Sequence, residues 1–486
     1  MMLKILKWAA VTLLLLVAAG VLLYAVGLRV VLDGGGKPYF AFVDSERARL
    51  KKIAANREAQ HAPEAPAPAA PERAASAAGA PAAEGATAVL PPVATSAGST
   101  YWTDFRGPAR DGEYRERPIL TSWPAGGLKP VWREPVGSGY ASMVIARGRV
   151  FTIEQRGSQE VVAAYDLATG HELWTNAWTA AFREMMGGDG PRATPTWFDG
   201  RVYALGGQGE FRCLDEGTGR TIWRANILED AGADNLRWGM AASPLVVGNT
   251  VVVLPGGGSG QSVVAYDRLT GTRAWAALDD QAGYSSPMLV TLAGVRQLVV
   301  FSASRVMGLT PDRGGLLWSF PWTTQFGVNA SQPVIVGDNR VFISTGYGTG
   351  AAMIEIASNG GALAAREVWR TNRMKNQFTT TVFHDGFLYG LDESILACLD
   401  AATGDLKWKG GRYGFGQVML ASGHLVVLSE QGDLALVRAT PEKHDEIARF
   451  PMLEGKTWSH PAMADGYLLI RNVNEMAAFD LRPDRR

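Results

Sequence analysis

The sequence predicts an all-β protein: an eight-bladed β-propeller of four-stranded antiparallel blades, preceded by one transmembrane helix and a disordered linker. Three observations predict it: a repeated Asp-x-x-Thr-Gly turn followed by Trp, eight apolar hairpins built on short polar turns, and a Trp-bearing strand that precedes the first hairpin. Composition points the same way, since 57 Gly and 15 Trp in 486 residues suit many turns and many anchored strands rather than helices. With 47 Lys+Arg against 47 Asp+Glu there is no global footprint for nucleic acid, and two Cys make neither a disulfide scaffold nor a four-thiolate metal site.

The chain opens with a membrane signal. Trp8–Leu28 is a run of 21 residues without charge, long enough to cross a bilayer core of about 30 Å. Lys4 and Lys7 precede it, which favours a cytoplasmic N-terminus and places the rest of the chain in the periplasm or outside the cell. Residues 1–37 are thus read as a cytoplasmic tip and signal anchor. The alternative is a cleaved signal peptide, but its apolar region is about 7–15 residues and this run continues into Val30, Val31 and Leu32. No Cys lies nearby to carry a lipid.

Residues 38–60 form a juxtamembrane segment in which Asp44 or Ser45 is placed to cap a helix. From 61 to 99 the chain is almost entirely Ala, Pro, Gly, Ser, Thr and Glu, with seven Pro between His61 and Gly98. Too little apolar area is available there to offset ordering entropy, so a disordered linker is expected, holding the propeller about 35 Å from the membrane as a flexible coil.

The propeller is expected over residues 100–482. Four segments, Ala163–Trp174, Arg212–Trp223, Val264–Trp275 and Ala397–Trp408, place an Asp eight residues before a Trp and Thr-Gly five and four before it. The Asp residues are Asp166, Asp215, Asp267 and Asp400; each is expected to accept from the amides of its own turn. A degenerate copy has Thr310, Gly314 and Trp318. In register, Trp132, Trp174, Trp223, Trp275, Trp318, Trp369 and Trp408 are 42, 49, 52, 43, 51 and 39 residues apart, and Phe450 is assigned the eighth slot. A Trp at this position buries on the order of 200 Å² against the next blade, a structural role.

Between these anchors, segments such as Arg192–Gly207 and Gln332–Gly346 read as hairpins, with turns near Gly148, Gly200, Gly248, Gly294, Asp338, Gly386, Gly423 and Gly466. Trp132 comes before any hairpin and the last unit ends without its Trp, so the N-terminal strand is expected to complete the C-terminal blade and leave no free edge.

These residues resemble the PQQ-like repeat of bacterial propellers. Tyr101–Tyr114, "YWTDFRGPARDGEY", is similar to the segment that leads into many of them. The resemblance implies the fold over roughly Tyr101–Leu481. It implies two kinds of function: quinoprotein dehydrogenases, which hold PQQ and calcium on the axis, and BamB, a noncatalytic assembly factor for outer-membrane barrels. A WD-type repeat is excluded because no Trp is followed by Asp, and kelch-type Gly-Gly doublets are out of register.

Evidence for chemistry is sparse. The vicinal Cys pair that the resemblance associates with many quinoproteins is missing; Cys213 and Cys398 occupy equivalent positions in units two and six, too far apart to bond. The six His show no metal-ligand spacing, and no phosphate cradle or nucleophile elbow appears. No catalytic residue, metal or cofactor is assigned. Candidate ligand-binding side chains are those expected at the rim of the central channel: Arg192, Arg237, Trp238, Tyr284, Asn329, Gln377, Trp458 and His460. The alternative is that they satisfy loop backbone or pack between blades. The functional expectation is a membrane-anchored, noncatalytic scaffold that binds a protein or small molecule on one face, against a PQQ- and calcium-dependent dehydrogenase of alcohols or sugars.

Overall fold

The computed structural model describes residues 2–61 and 101–483. The linker predicted over 61–99 therefore lies, beyond His61, outside the described residues. Helix α1 (Met2–Ala25) starts before the uncharged run and stops short of its end, because Gly27 at φ 97° turns the chain into strand β1 (Leu28–Leu32). Leu28 is therefore a strand residue and not the last helical one. β1 pairs antiparallel with β2 (Pro38–Phe42), and helix α2 (Glu46–His61) follows, with the Ala48 amide donating to Ser45 Oγ at 3.2 Å. Ser45 is thus the cap, while Asp44 pairs with Lys52 at 2.6 Å. Among the described residues no helix is long and apolar enough to cross a membrane; several α1 side chains are outside the described set, and the anchor rests on the sequence run.

Residues 38–61 do not stand clear of the propeller. Arg57 of α2 reaches Glu172 at 3.1 Å, Glu134 at 3.2 Å and the Pro135 carbonyl at 3.0 Å. Glu46 pairs with Arg183 at 3.0 Å. Both α2 and Trp102 are therefore held on the propeller.

Two short strands, β3 (Glu113–Tyr114) and β4 (Pro130–Pro135), precede the blades. Seven blades follow over 144–179, 196–226, 245–277, 288–321, 334–371, 382–412 and 417–451. The eighth, 462–480, has three strands of its own and takes β4 as its outer strand, with Trp132 opposite Ala478. β3 adds a parallel fifth strand inside blade 7. Six of the eight hairpin turns, at Arg147–Gly148, Asp199–Gly200, Ala293–Gly294, Asp385–Gly386, Ser422–Gly423 and Asp465–Gly466, have both residues at positive φ. That is the type I′ turn, whose twist matches the flanking strands.

Every blade carries a bulge between its third and fourth strands, at Ala164/Tyr165, Cys213/Leu214, Ala265/Tyr266, Gly308/Leu309, Met353/Ile354, Cys398/Leu399, Leu436/Val437 and Ala478/Phe479. In seven blades the residue just before the bulge faces the anchor Trp. In blade 7 it faces Ala448, so Phe450, which pairs with Leu434, does not fill the eighth Trp slot.

The Trp and the turn form one joint. Asp166, Asp215 and Asp267 Oδ1 each accept two turn amides and the turn Thr hydroxyl, and Asp400 accepts two amides. This arrangement presents the carbonyl after the Asp to the preceding blade: Trp132 Nε1 donates to Leu167 O at 2.8 Å, Trp174 to Glu216 O at 2.9 Å, Trp223 to Arg268 O at 3.0 Å and Trp369 to Ala401 O at 3.1 Å. The turn Gly lies under the indole; a Cβ on Gly219 would sit 2.3 Å from the Trp174 ring. Trp318 has no such turn ahead of it and instead bonds Gln297 within its own blade. Cys213 and Cys398 are free and buried on blades 2 and 6, and burial pushes both thiols up to about 12.

Near the axis a second joint runs round the ring. Ser142 N donates to Thr194 Oγ1, Thr194 N to Ser243 Oγ, Ser243 N to Ser286 Oγ, and Gln332 Nε2 back to Ser286 O. Gln332 N donates to Thr380 Oγ1, Thr379 Oγ1 to Gly416 O, Gln417 Nε2 to Trp458 O, and Ser142 Oγ to His460 O. Each neighbouring pair of blades is thus joined by a polar contact at the axis as well as by apolar packing outside.

Candidate functional site

One end of the channel is closed by residues 101–114. Positive φ at Arg106 (66°) and Arg110 (56°) turns both side chains inward, where they are buried. Arg106 donates to Thr380 O (3.0 Å), Thr381 O (3.2 Å) and Asp111 O (2.8 Å). Arg110 pairs with Asp104 at 2.9 Å and reaches Pro287 O (2.9 Å), Ser243 O (3.3 Å) and Pro244 O. The two guanidiniums act as spokes to blades 3, 4 and 6. Burial lowers both pKa values, that of Arg106 to about 10, and the neighbouring Asp111 and Asp104 carboxylates oppose the shift at Arg106 and Arg110 respectively.

The other end opens into a cavity of about 980 Å³ with Phe105 and His460 at its base. The position two residues before an axial ring residue of each blade points into it: Tyr140, Arg192, Ala241, Tyr284, Ala330, Phe378, Phe415 and Trp458. Rings pair along the wall, Trp458 with Tyr140 at 4.9 Å and with Phe378 at 4.6 Å, Phe378 with Phe415 at 5.9 Å, and Trp238 with Tyr284 at 5.9 Å between centroids.

Seven of the eight rim residues expected from sequence line this cavity: Arg192, Arg237, Trp238, Tyr284, Gln377, Trp458 and His460. Asn329 does not. It is fully buried, its Nδ2 donates to Ser302 O at 2.9 Å and its Oδ1 accepts from Thr345 Oγ1 at 2.9 Å; the cavity position is Ala330, one residue later. His460 is also largely committed, with Nδ1 2.6 Å from Pro461 O and Nε2 3.2 Å from Val418 O. Burial and the nearby Arg106 lower its pKa to about 3, so the ring is neutral and donates to only one of these carbonyls. Arg192 is tied to Gly190 O (2.5 Å) and Gly188 O (2.7 Å) and lies 4.6 Å from the Phe182 ring centre. Arg237 is freer, 5.1 Å from the Trp238 ring centre.

Sequence reasoning missed Tyr140, Phe378, Phe415, Lys456 and above all Glu430. The first three were findable, because they stand two before Ser142, Thr380 and Gln417 as Trp458 does before His460. Glu430 carried no such signal. Its buried carboxylate accepts from Trp458 Nε1 at 2.9 Å and the Phe415 amide at 3.1 Å. Lys456 lies 4.2 Å from the Trp458 ring centre, and burial lowers its pKa to about 8.

The cavity is capped by the β1–β2 hairpin, whose turn Asp33–Lys37 is part of its lining. The Gly34 amide donates to Glu430 Oε1 at 2.6 Å, and Gln377 Nε2 donates to Gly34 O at 2.5 Å. Both Glu430 oxygens are thereby used. Calcium takes six to eight oxygen ligands, and among the described residues no three His, Cys, Asp or Glu side chains are grouped to hold a metal.

With the eight blades, the axial ring and the mouth defined, relatives can be weighed. Residues 157–410, more than half of the chain, match the family model for outer membrane protein assembly factor BamB. The chain belongs to this family. No curated protein matches it. Among solved structures, BamB from Moraxella catarrhalis is similar at 14% identity and a TM-score of 0.53, covering 74% of this chain and 99% of that one. A europium-containing methanol dehydrogenase is similar at 13% identity and 0.55, covering 77% and 90%. The quinohemoprotein alcohol dehydrogenase from Comamonas testosteroni is similar at 13% and 0.56, covering 81% and 82%. At these identities the structural likenesses establish the fold alone, which the BamB family shares with propellers whose chemistry differs.

Proposed function

We propose that this BamB-family propeller is a noncatalytic scaffold that binds a polypeptide partner at the mouth of its channel. One observation carries the reading: the mouth is walled by aromatic rings from most blades, while its central carboxylate, Glu430, is spent on indole and backbone N–H groups. Aromatic rings in a concavity are recognition anchors. A reacting carboxylate needs free lone pairs, and this one has few.

The reading includes a membrane anchor with the propeller in the periplasm or outside the cell. Its support is the uncharged run from Trp8, whose described residues Leu13, Leu14, Leu15, Val21 and Leu22 are all exposed. A helix apolar all round without a protein partner suits a bilayer. Because the hairpin directly after α1 caps the cavity, such an anchor turns the mouth toward the membrane.

A second reading, a PQQ-dependent dehydrogenase, is favoured by one feature: Arg192, Arg237 and Arg412 bring positive charge to a cavity of a size that suits a small anion. Titrating the purified protein with PQQ and calcium, following absorbance and dye-linked alcohol or sugar oxidation, separates the two. The scaffold reading expects no saturable spectral change and no turnover; turnover overturns it. Extraction of membranes with alkaline carbonate tests the anchor, which is refuted if the full chain is released.

A further inference from the structure

The turn capping the mouth is held in a way that identifies what the mouth recognises. Asp33-Gly34-Gly35-Gly36 is a closed turn, with Gly36 N donating to Asp33 O at 2.9 Å and Lys37 N to Asp33 Oδ1 at 2.7 Å. At Gly34 the propeller reads main chain on both sides, the amide through Glu430 and the carbonyl through Gln377. Phe415 reads the absence of a side chain: a Cβ on Gly34 would stand 2.4 Å from its ring and one on Gly35 3.1 Å. Glu430 is held by Trp458 Nε1 and the Phe415 amide, so it is aimed before the turn arrives.

The rest of the hairpin is weakly held. β1 and β2 pair only with each other, and Val30 (63%), Phe40 (75%) and Phe42 (75%) stay exposed. An isolated two-stranded hairpin is marginal in water. A seat specific for a turn, filled by a segment with little else to hold it, is suited to exchange.

We propose that the mouth is a binding site for a glycine-containing β-turn of a partner polypeptide, and that the chain's own Gly34–Gly35 turn occupies it as a displaceable, autoinhibitory ligand. The proposal rests on the mouth being the binding face and adds the class of ligand and the competitor it meets. Recognition uses two main-chain hydrogen bonds and one steric filter, so partner turns with Gly at the Gly34 position enter and those with a side chain there are refused.

The test uses the full chain and a synthetic cyclised hairpin of residues 28–42. In the wild type, slow hydrogen exchange is expected at Gly34, and saturating hairpin peptide is expected to speed exchange of residues 28–42 by competition. Gly34→Val should expel the native turn, raise exchange over the hairpin at least tenfold, and bind the added peptide at least tenfold more tightly than the wild type does. Glu430→Ala in that background should lose most of this gain, and a peptide with Val at the Gly34 position should not bind. Unchanged exchange in Gly34→Val, or an exposed mouth that ignores the peptide, overturns the proposal. Tryptophan near-UV dichroism reports whether the blades stay intact, and wild-type competition is a readout that needs no variant. Failure here with a partner still bound at the mouth leaves the scaffold reading standing, whereas quinone turnover removes that reading without touching the exchange result.

Discussion

The joint between blades is made at single residues. Trp223 packs on Gly271 of the next blade's turn and donates to Arg268 O, so Ala at 223 removes a largely buried indole, its hydrogen bond and the cover over that turn. A loss of about 3–5 kcal/mol is expected in denaturant unfolding, and Trp223→Phe should lose about 1 kcal/mol, the net worth of the hydrogen bond. Gly219 does double duty, since its φ of 69° and the Trp174 ring 2.3 Å from a built Cβ both exclude a side chain. His460 sets a pH dependence. Its folded pKa of about 3 lies below the unfolded value near 6.5, so the unfolded chain binds the extra proton between these limits. Stability is therefore full above pH 6.5 and falls as pH drops toward 3. In His460→Gln, urea unfolding should show a flatter slope over that window; an unchanged slope would mean that the ring is already charged when folded.

At the scale of elements, the hairpins follow local chemistry and the N-terminal pieces do not. Type I′ turns at Asp199–Gly200 or Asp465–Gly466 need only adjacent residues that tolerate positive φ, so all eight turns were legible. Helix α2 was legible too, with its cap at Asp44 or Ser45, but not which of the two caps it, nor its docking, which depends on Arg57 meeting Glu134 and Glu172 from distant parts of the chain. Arg57→Ala leaves both carboxylates short of a partner in largely buried positions. It should cost about 3 kcal/mol and raise hydrogen exchange across 46–61 while the blades stay protected. The leading segment behaves likewise: "FRGPARDG" marked a resemblance, yet only the folded ring shows Arg106 reaching carbonyls at blade 6 and Arg110 carbonyls at blades 3 and 4. Arg106→Lys should already destabilise, because an ammonium cannot match a guanidinium fork serving three carbonyls.

For the whole molecule, closure is the decisive event. β4 gives blade 8 its fourth strand and puts Trp132 against the turn of blade 1, joining two ends of the domain some 350 residues apart. Deleting residues 130–135 should leave an open edge on blade 8 and shift the protein to aggregates in size-exclusion chromatography, while Trp132→Phe should keep the monomer position. Such closure also explains why the axis holds a cavity: eight blades leave a space that side chains fill from one end, through Arg106 and Arg110, and that a hairpin covers at the other.

The sequence by itself determined the blade count, the turn positions, the order of closure and seven of the eight rim residues placed at the cavity. Each is carried by a short pattern repeated in register, and a periodic pattern needs no partner to be read. Tertiary structure alone decided the fate of Asn329, the absence of an eighth anchor at Phe450, the central place of Glu430 and the seating of Gly34 in the mouth. These depend on contacts between segments up to about 400 residues apart, Gly34 with Glu430 being the longest. No local spacing encodes such a contact; it exists only once the ring has closed around its axis.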